Sequence, residues 1–194
     1  MQKKPKLDTE RKARTSEPTR GVLPQDFEAW FRDHRPVVYR FVRFRVGTRE
    51  AAEDVTSDVF MKALRSLERY DPSRAAPRTW LLRIAQNAVT DHLRSLKRKG
   101  SLHVSLDRVP DLVGSGQSPE ERLIREERLN RILNASQTLK PGDQELISLR
   151  YGAGLGNQEI AEAMQISSNA VAVRLHRALG RLRDAVLDQT ENEK

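Results

Sequence analysis

Apolar residues recur at helical spacing in two blocks of this chain, and a stretch of about 19 residues between them loses the period. Phe27, Trp30, Phe31, Val38, Phe41 and Val42 form one stripe. Ala52, Val55, Val59, Phe60, Ala63 and Leu67 form a second, and Leu81, Ile84, Ala85, Ala88, His92 and Leu96 a third. Each stripe is too narrow to be stable alone, so the three predict a common core. Strand-like alternation of useful length is missing from the sequence, and the expected fold class is all-α. Pro36 lacks an amide hydrogen and should kink or divide the first helix. Asp71-Pro72-Ser73-Arg74-Ala75-Ala76-Pro77 predicts an irregular loop between the second and third helices.

Residues 101–118 gather Gly, Ser and Pro and read as a flexible linker. Helical pattern resumes at Pro119, behind a probable N-cap at Ser118, with Glu120 and Glu121 suited to the positive end of the helix dipole. The organisation expected is therefore a polar, basic tail over residues 1–24, a helical module over 25–100, the linker, a second helical module over 119–188, and a short tail over 189–194. The tail at the start holds little apolar material and is expected to be disordered unless bound.

The second block contains three short helical patterns. Gln144 to Arg150 is followed by the glycines at 152, 154 and 156; then come Asn157 to Met164 and Ser168 to Val186. In the last, Val171, Leu175, Ala178, Leu179, Leu182 and Val186 share one face. Asn169, Val173 and Arg177 point the other way, flanked by Ala170, Arg174 and Arg181. A short helix, a tight turn and a longer helix with a basic outer side is the helix-turn-helix layout, whose second helix enters the major groove. The glycines do not make a dinucleotide fingerprint, because Asn157 stands where the third glycine would be and no strand precedes it.

Charge points the same way. The net charge is +8, and residues 72–100 hold seven cations against one acid. Such a concentration is an electrostatic footprint for a polyanion, because each phosphate neutralised releases condensed counterions. The chain has no cysteine, which excludes a disulfide framework, a thiolate nucleophile and a Cys-based metal site, and agrees with a reducing compartment. No secretory h-region or membrane-spanning run is present, so the cytoplasm is expected. His34, His92, His103 and His176 are scattered, and the acids Glu53, Asp54 and Asp58 read as a solvated helix face. No catalytic residue, metal site or cofactor is expected.

Two sets of motifs carry a family resemblance. Leu149-Arg150-Tyr151, Gly154-Leu155-Gly156, Glu159-Ile160-Ala161-Glu162, and Val171 with Arg174-Leu175-His176-Arg177-Ala178 resemble the sigma-4 domain of the sigma-70 family. Ala52 to Phe60 and Thr79 to Asn87 resemble the two signature stretches of the sigma-2 domain. With no sigma-3 block between them, the chain is similar to the extracytoplasmic-function (ECF) group of RNA polymerase sigma factors.

The resemblance implies two small helical domains, sigma-2-like and sigma-4-like, that bind core RNA polymerase through its beta-prime and beta subunits and open promoter DNA. It places Glu50, Asp54, Ser57, Asp58, Met61 and Arg65 on the polymerase-binding face. It gives the −10 element Ser73, Arg74, Arg78, Trp80, Arg83, Asn87, Arg94, Lys97 and Arg98, with Asn87 offering a donor and an acceptor to a base edge. Trp80 stands beside Leu81 and Leu82, where packing competes with base stacking. The −35 element falls to Ser168, Asn169, Ala170, Val173, Arg174, Arg177 and Arg181.

Ala170, Ala172 and Val173 replace the Thr, Lys and Ser frequent in the family, and Gly156-Asn157 replaces Ser-Tyr. The departure implies fewer polar DNA contacts, a larger share for Arg174 and Arg177, and an outward Val173 suited to a thymine methyl. An anti-sigma factor is a further implied partner. Two other readings remain: a helix-turn-helix regulator that acts without polymerase, which leaves residues 25–100 unexplained, and a sigma-like protein that binds polymerase or another sigma factor without initiating. The linker suggests that the two modules move relative to each other when free and take a fixed spacing on polymerase. A single fused globule, or a walled-in cationic stretch, would count against the sigma reading.

Overall fold

The computed structural model describes residues 24–99 and 118–192. Seven α-helices are present among them and no strand: α1 (Pro24–Arg43), α2 (Arg49–Arg65), α3 (Pro77–Lys99), α4 (Pro119–Gln137), α5 (Pro141–Ile147), α6 (Asn157–Met164) and α7 (Ser168–Asn192). The all-α expectation holds. Residues 1–23 of the expected tail and all but the last residue of the expected linker lie outside the described residues; α1 begins at Pro24, the last residue of that tail, and α7 continues to Asn192, into the stretch set apart as a terminal tail.

Helices α1, α2 and α3 pack on one another as the three stripes require, burying Val38, Phe41, Val42, Ala52, Val55, Val59, Phe60, Leu81 and Ala85. Pro36 does not divide α1, which runs unbroken through it. A proline inside a helix costs about 3 kcal/mol. Here Pro36 faces solvent, and the apolar residues on both sides of it pack on the same core, which offsets that cost.

The second module begins with the expected cap. The Ser118 hydroxyl accepts from the Glu121 amide and the Glu121 carboxylate accepts from the Ser118 amide, both at 3.2 Å, so two of the helix's orphan donors are satisfied. Between α5 and α6 the chain makes a wide π-type turn over Ser148–Gly152. Gly154 follows in a left-handed conformation (φ +66°) that favours glycine, and the Gly156 amide caps α6 through the Glu159 carboxylate at 2.7 Å.

The two modules do not stand apart. Their buried residues form one continuous apolar cluster, and the π-type turn lies directly against α1. The two expected modules are both present, and they meet along a seam where the π-type turn lies against α1. Tethering alone favours no particular docking; complementary buried surface does.

Candidate nucleic-acid interface

The loop over residues 71–77 is held in place by its own polar groups. The Ser73 amide and hydroxyl both donate to Asp71 Oδ1, at 2.9 and 2.6 Å, and the Tyr70 hydroxyl donates to the Ala75 carbonyl at 2.8 Å. Those two bonds from Ser73 hold the Asp71 carboxyl below its ordinary range, while burial pushes the Tyr70 hydroxyl up. Beneath the loop sits an aromatic cluster. The Trp80 ring lies 4.9 Å from Tyr70 and 6.2 Å from Trp30, and Trp30 lies edge-on to Tyr70 at 4.9 Å. Trp80 is half-buried in this cluster, packed against Trp30 and Tyr70 beneath the loop.

Around that cluster the cations are accessible. Ser73, Arg74, Arg83, Asn87, Arg94, Lys97 and Arg98 are exposed, and the last three basic residues of this set line one open surface depression. The cationic stretch is therefore not walled in. Arg78 is the exception: it is half-buried, and its guanidinium donates to the carbonyl of Ala153 in the second module.

All six residues expected on the polymerase-binding face, Glu50, Asp54, Ser57, Asp58, Met61 and Arg65, are exposed on α2, opposite the buried Ala52, Val55, Val59 and Ala63. Leu64, which the sequence reading passed over, is 45% exposed next to Met61 at 48%. Two adjacent large apolar side chains left in solvent on a polar helix make a better partner surface than methionine alone. The signal was in the sequence, because Leu64 falls off the stripe through Val59, Phe60 and Ala63.

In the second module α6, a turn through Gln165 in left-handed conformation (φ 55°), and α7 form the helix-turn-helix. The Ser167 hydroxyl accepts from the Ala170 amide at 3.1 Å and so caps the start of α7. Ser168, Asn169, Val173, Arg174 and Arg177 are exposed, Ala170 is half-buried, and Val171, Leu175 and Ala178 anchor the opposite face. Arg181 is exposed too, but it turns back to Asp143 of α5 at 2.7 Å and buttresses the helix. Val173 is 45% exposed, an apolar side chain on the outer face one turn before Arg177.

No described helix is long and apolar enough to cross a membrane, and the described residues contain no group of three His, Asp or Glu placed to hold a metal ion. A fixed loop beside a cationic helix, joined in one chain to a helix-turn-helix, defines a two-module all-helical protein with exposed basic surface on both modules. Comparison with known proteins makes the class specific. Residues 30–99 match the family description Sigma-70 region 2, and residues 129–182 match Sigma-70, region 4.

SigD of Mycobacterium tuberculosis, an ECF RNA polymerase sigma factor, is 31% identical over 157 residues, covering 79% of this chain and 73% of SigD. BldN of Streptomyces coelicolor, also an ECF RNA polymerase sigma factor, is 31% identical over 153 residues; the match spans 79% of this chain but only 57% of BldN. Among solved structures, CnrH in complex with the cytosolic domain of CnrY is similar at a TM-score of 0.58 and 26% identity, covering 85% of this chain and 89% of that one. RpoE of Bartonella quintana, in complex with the anti-sigma factor NepR, shares the fold at a TM-score of 0.67 and 20% identity, covering 84% and 97%. The chain belongs to the sigma-70 family, in its ECF group of RNA polymerase sigma factors, the factors that direct transcription initiation.

Proposed function

We propose that this sigma factor binds core RNA polymerase through the outer face of α2, captures the opened −10 strand with the 71–77 loop and the exposed cations of α3, and reads a −35 element with α7. The polymerase contact rests on Met61 and Leu64 within the polar surface of Glu50, Asp54, Ser57, Asp58 and Arg65. The single observation that supports the reading best is the self-bonded loop. Flipping a base out of a duplex costs a few kcal/mol, and a loop already fixed by Asp71, Ser73 and Tyr70 loses little further entropy on binding it. Exposed Asn87 offers a donor and an acceptor to a base edge, while Arg74, Arg83, Arg94, Lys97 and Arg98 track phosphates.

On α7 the arginines at 174 and 177 carry phosphate or guanine contacts, with Val173 against a thymine methyl. Ser168, Asn169 and the capped amides at the helix start set the register on the backbone. The protein needs no cofactor for this and performs no catalysis of its own: polymerase supplies the chemistry, in the cytoplasm where template and enzyme meet. An anti-sigma factor is the expected regulator, in line with the relatives solved as complexes with CnrY and NepR.

The test is direct. Purified protein mixed with core RNA polymerase should co-elute and yield promoter-dependent transcripts. Co-elution without transcripts would favour a sigma-like protein that does not initiate, and duplex binding without core would favour a free-standing regulator. Val173→Ser should change the selected −35 sequence at one position; an unchanged preference rules out the methyl contact.

A further inference from the structure

Between the modules lies a cleft of about 410 Å³, within the size range of small-molecule sites, which occur preferentially at domain interfaces. Its walls carry opposite charge. Arg74 of the 71–77 loop and Arg83 of α3 line one side, and Glu159 and Glu162, one turn apart on α6, line the other. Leu82 and Leu155, each 3% exposed, also line the cleft and give it an apolar floor. Contacts along the seam hold the walls at this spacing. Arg78 donates to the Ala153 carbonyl, Arg40 Nε to the Gly152 carbonyl at 3.3 Å, and Gln86 Nε2 to Glu145 Oε1 at 3.1 Å.

The charges on the two walls do not satisfy one another. Glu159 gives one carboxylate oxygen to the Gly156 amide at 2.7 Å. Among the described residues, the side chains of Arg74, Arg83 and Glu162 make no hydrogen bond or ion pair. A cleft of this kind rejects simple ions. A polyanion laid on the arginines meets the carboxylates of α6, and a polycation laid on α6 meets the guanidiniums.

A ligand with opposite charges at its two ends and an apolar middle satisfies both walls at once. A basic amino acid has that form. Its carboxylate takes the forked donors of Arg74 and Arg83, and its distal ammonium or guanidinium takes Glu162 and the second oxygen of Glu159. Its methylene stem lies on Leu82 and Leu155. The hydroxyls of Ser73 and Thr79, which line the same cleft, have lone pairs for the α-ammonium.

We propose that this cleft is a binding site for a free basic amino acid, held at its carboxylate by Arg74 and Arg83 and at its cationic end by Glu159 and Glu162. The site goes beyond the promoter contacts, because Glu159 and Glu162 belong to none of them.

The test is isothermal titration of the full chain, without polymerase or DNA, at constant ionic strength set with sodium chloride. The probes are L-arginine and L-lysine, with agmatine, which lacks the carboxylate, and L-norvaline, which lacks the distal cation. Arginine or lysine should bind saturably at one site per chain, and agmatine and norvaline each about tenfold more weakly or worse, the loss expected when one charged hydrogen-bonding end is removed. Arg83→Gln and Glu162→Gln should each weaken binding by a similar factor with unchanged helical circular dichroism, since both side chains are exposed. Glu162→Gln should also cease to favour arginine over norvaline, which marks the contact as direct. Glu159 is left intact because its carboxylate caps α6.

The proposal is overturned if neither amino acid binds saturably, if agmatine or norvaline binds as tightly as its parent, or if either variant binds as tightly as the wild type. Failure to co-elute with core polymerase sinks the functional reading instead, and leaves the titration result standing.

Discussion

Under the proposed function the two modules each present a fixed surface to DNA, and they hold it by different physical means. Every aromatic residue except Tyr151 lies between Phe27 and Trp80, in the first module. There Trp30 meets Tyr70 and Trp80 edge-on while Tyr70 and Trp80 lie tilted against each other under a loop, and Phe27 and Phe31 meet Phe60 edge-on at 6.3 and 4.8 Å. The second module has an aliphatic core of Leu133, Leu146, Ile147, Leu149, Ile160, Val171 and Leu175, and relies on helix caps and glycine turns. An irregular loop has few backbone hydrogen bonds of its own, so large rigid rings must hold it. A recognition helix is stiff already and needs only its ends fixed.

That contrast can be broken by substitution. The largest expected effect is from Trp80→Ala, which should destabilise the first module by about 3 kcal/mol in urea unfolding and weaken single-strand binding with it, whereas Trp80→Phe should retain most of both. Loss of binding with no loss of stability would make Trp80 a stacking residue after all. Next, Arg177→Ala should reduce −35 duplex affinity by about 1–3 kcal/mol in a binding titration and leave stability unchanged, because the side chain is exposed. Ser118→Ala should cost about 1 kcal/mol of stability, seen as a lower unfolding midpoint, by removing one arm of the capping box.

The smallest effect concerns pH. Burial lowers the His34 pKa, opposed by Asp33 and reinforced by Arg78. Its contribution to stability is therefore complete above the ordinary imidazole value and declines as pH falls through the depressed folded value, where the folded state must take up a proton beside a cation. A thermal-melting series from neutral to mildly acid pH should show this decline, and His34→Gln should flatten it.

Much of the site was legible one residue at a time. The bounds of α6, the cap at Ser118 and the outward set on α7 follow from helical period and local capping chemistry, which act over three or four residues. The outer face of α2 was legible for the same reason, save for Leu64. Pro36 does not divide α1, because its local cost is outweighed by core contacts made on both sides of it. Trp80 stayed ambiguous in sequence because its partners, Trp30 and Tyr70, come from other elements.

The sequence by itself determined an all-helical chain, the two family signatures and the places where cations gather, since periodicity, motif and charge are written in neighbouring residues. Only the tertiary structure decided that the halves dock on each other and that Arg78 is engaged there. The bond from Arg40 to Gly152 joins positions 112 residues apart. A contact of that kind depends on the shapes of two finished surfaces, and no local pattern encodes it.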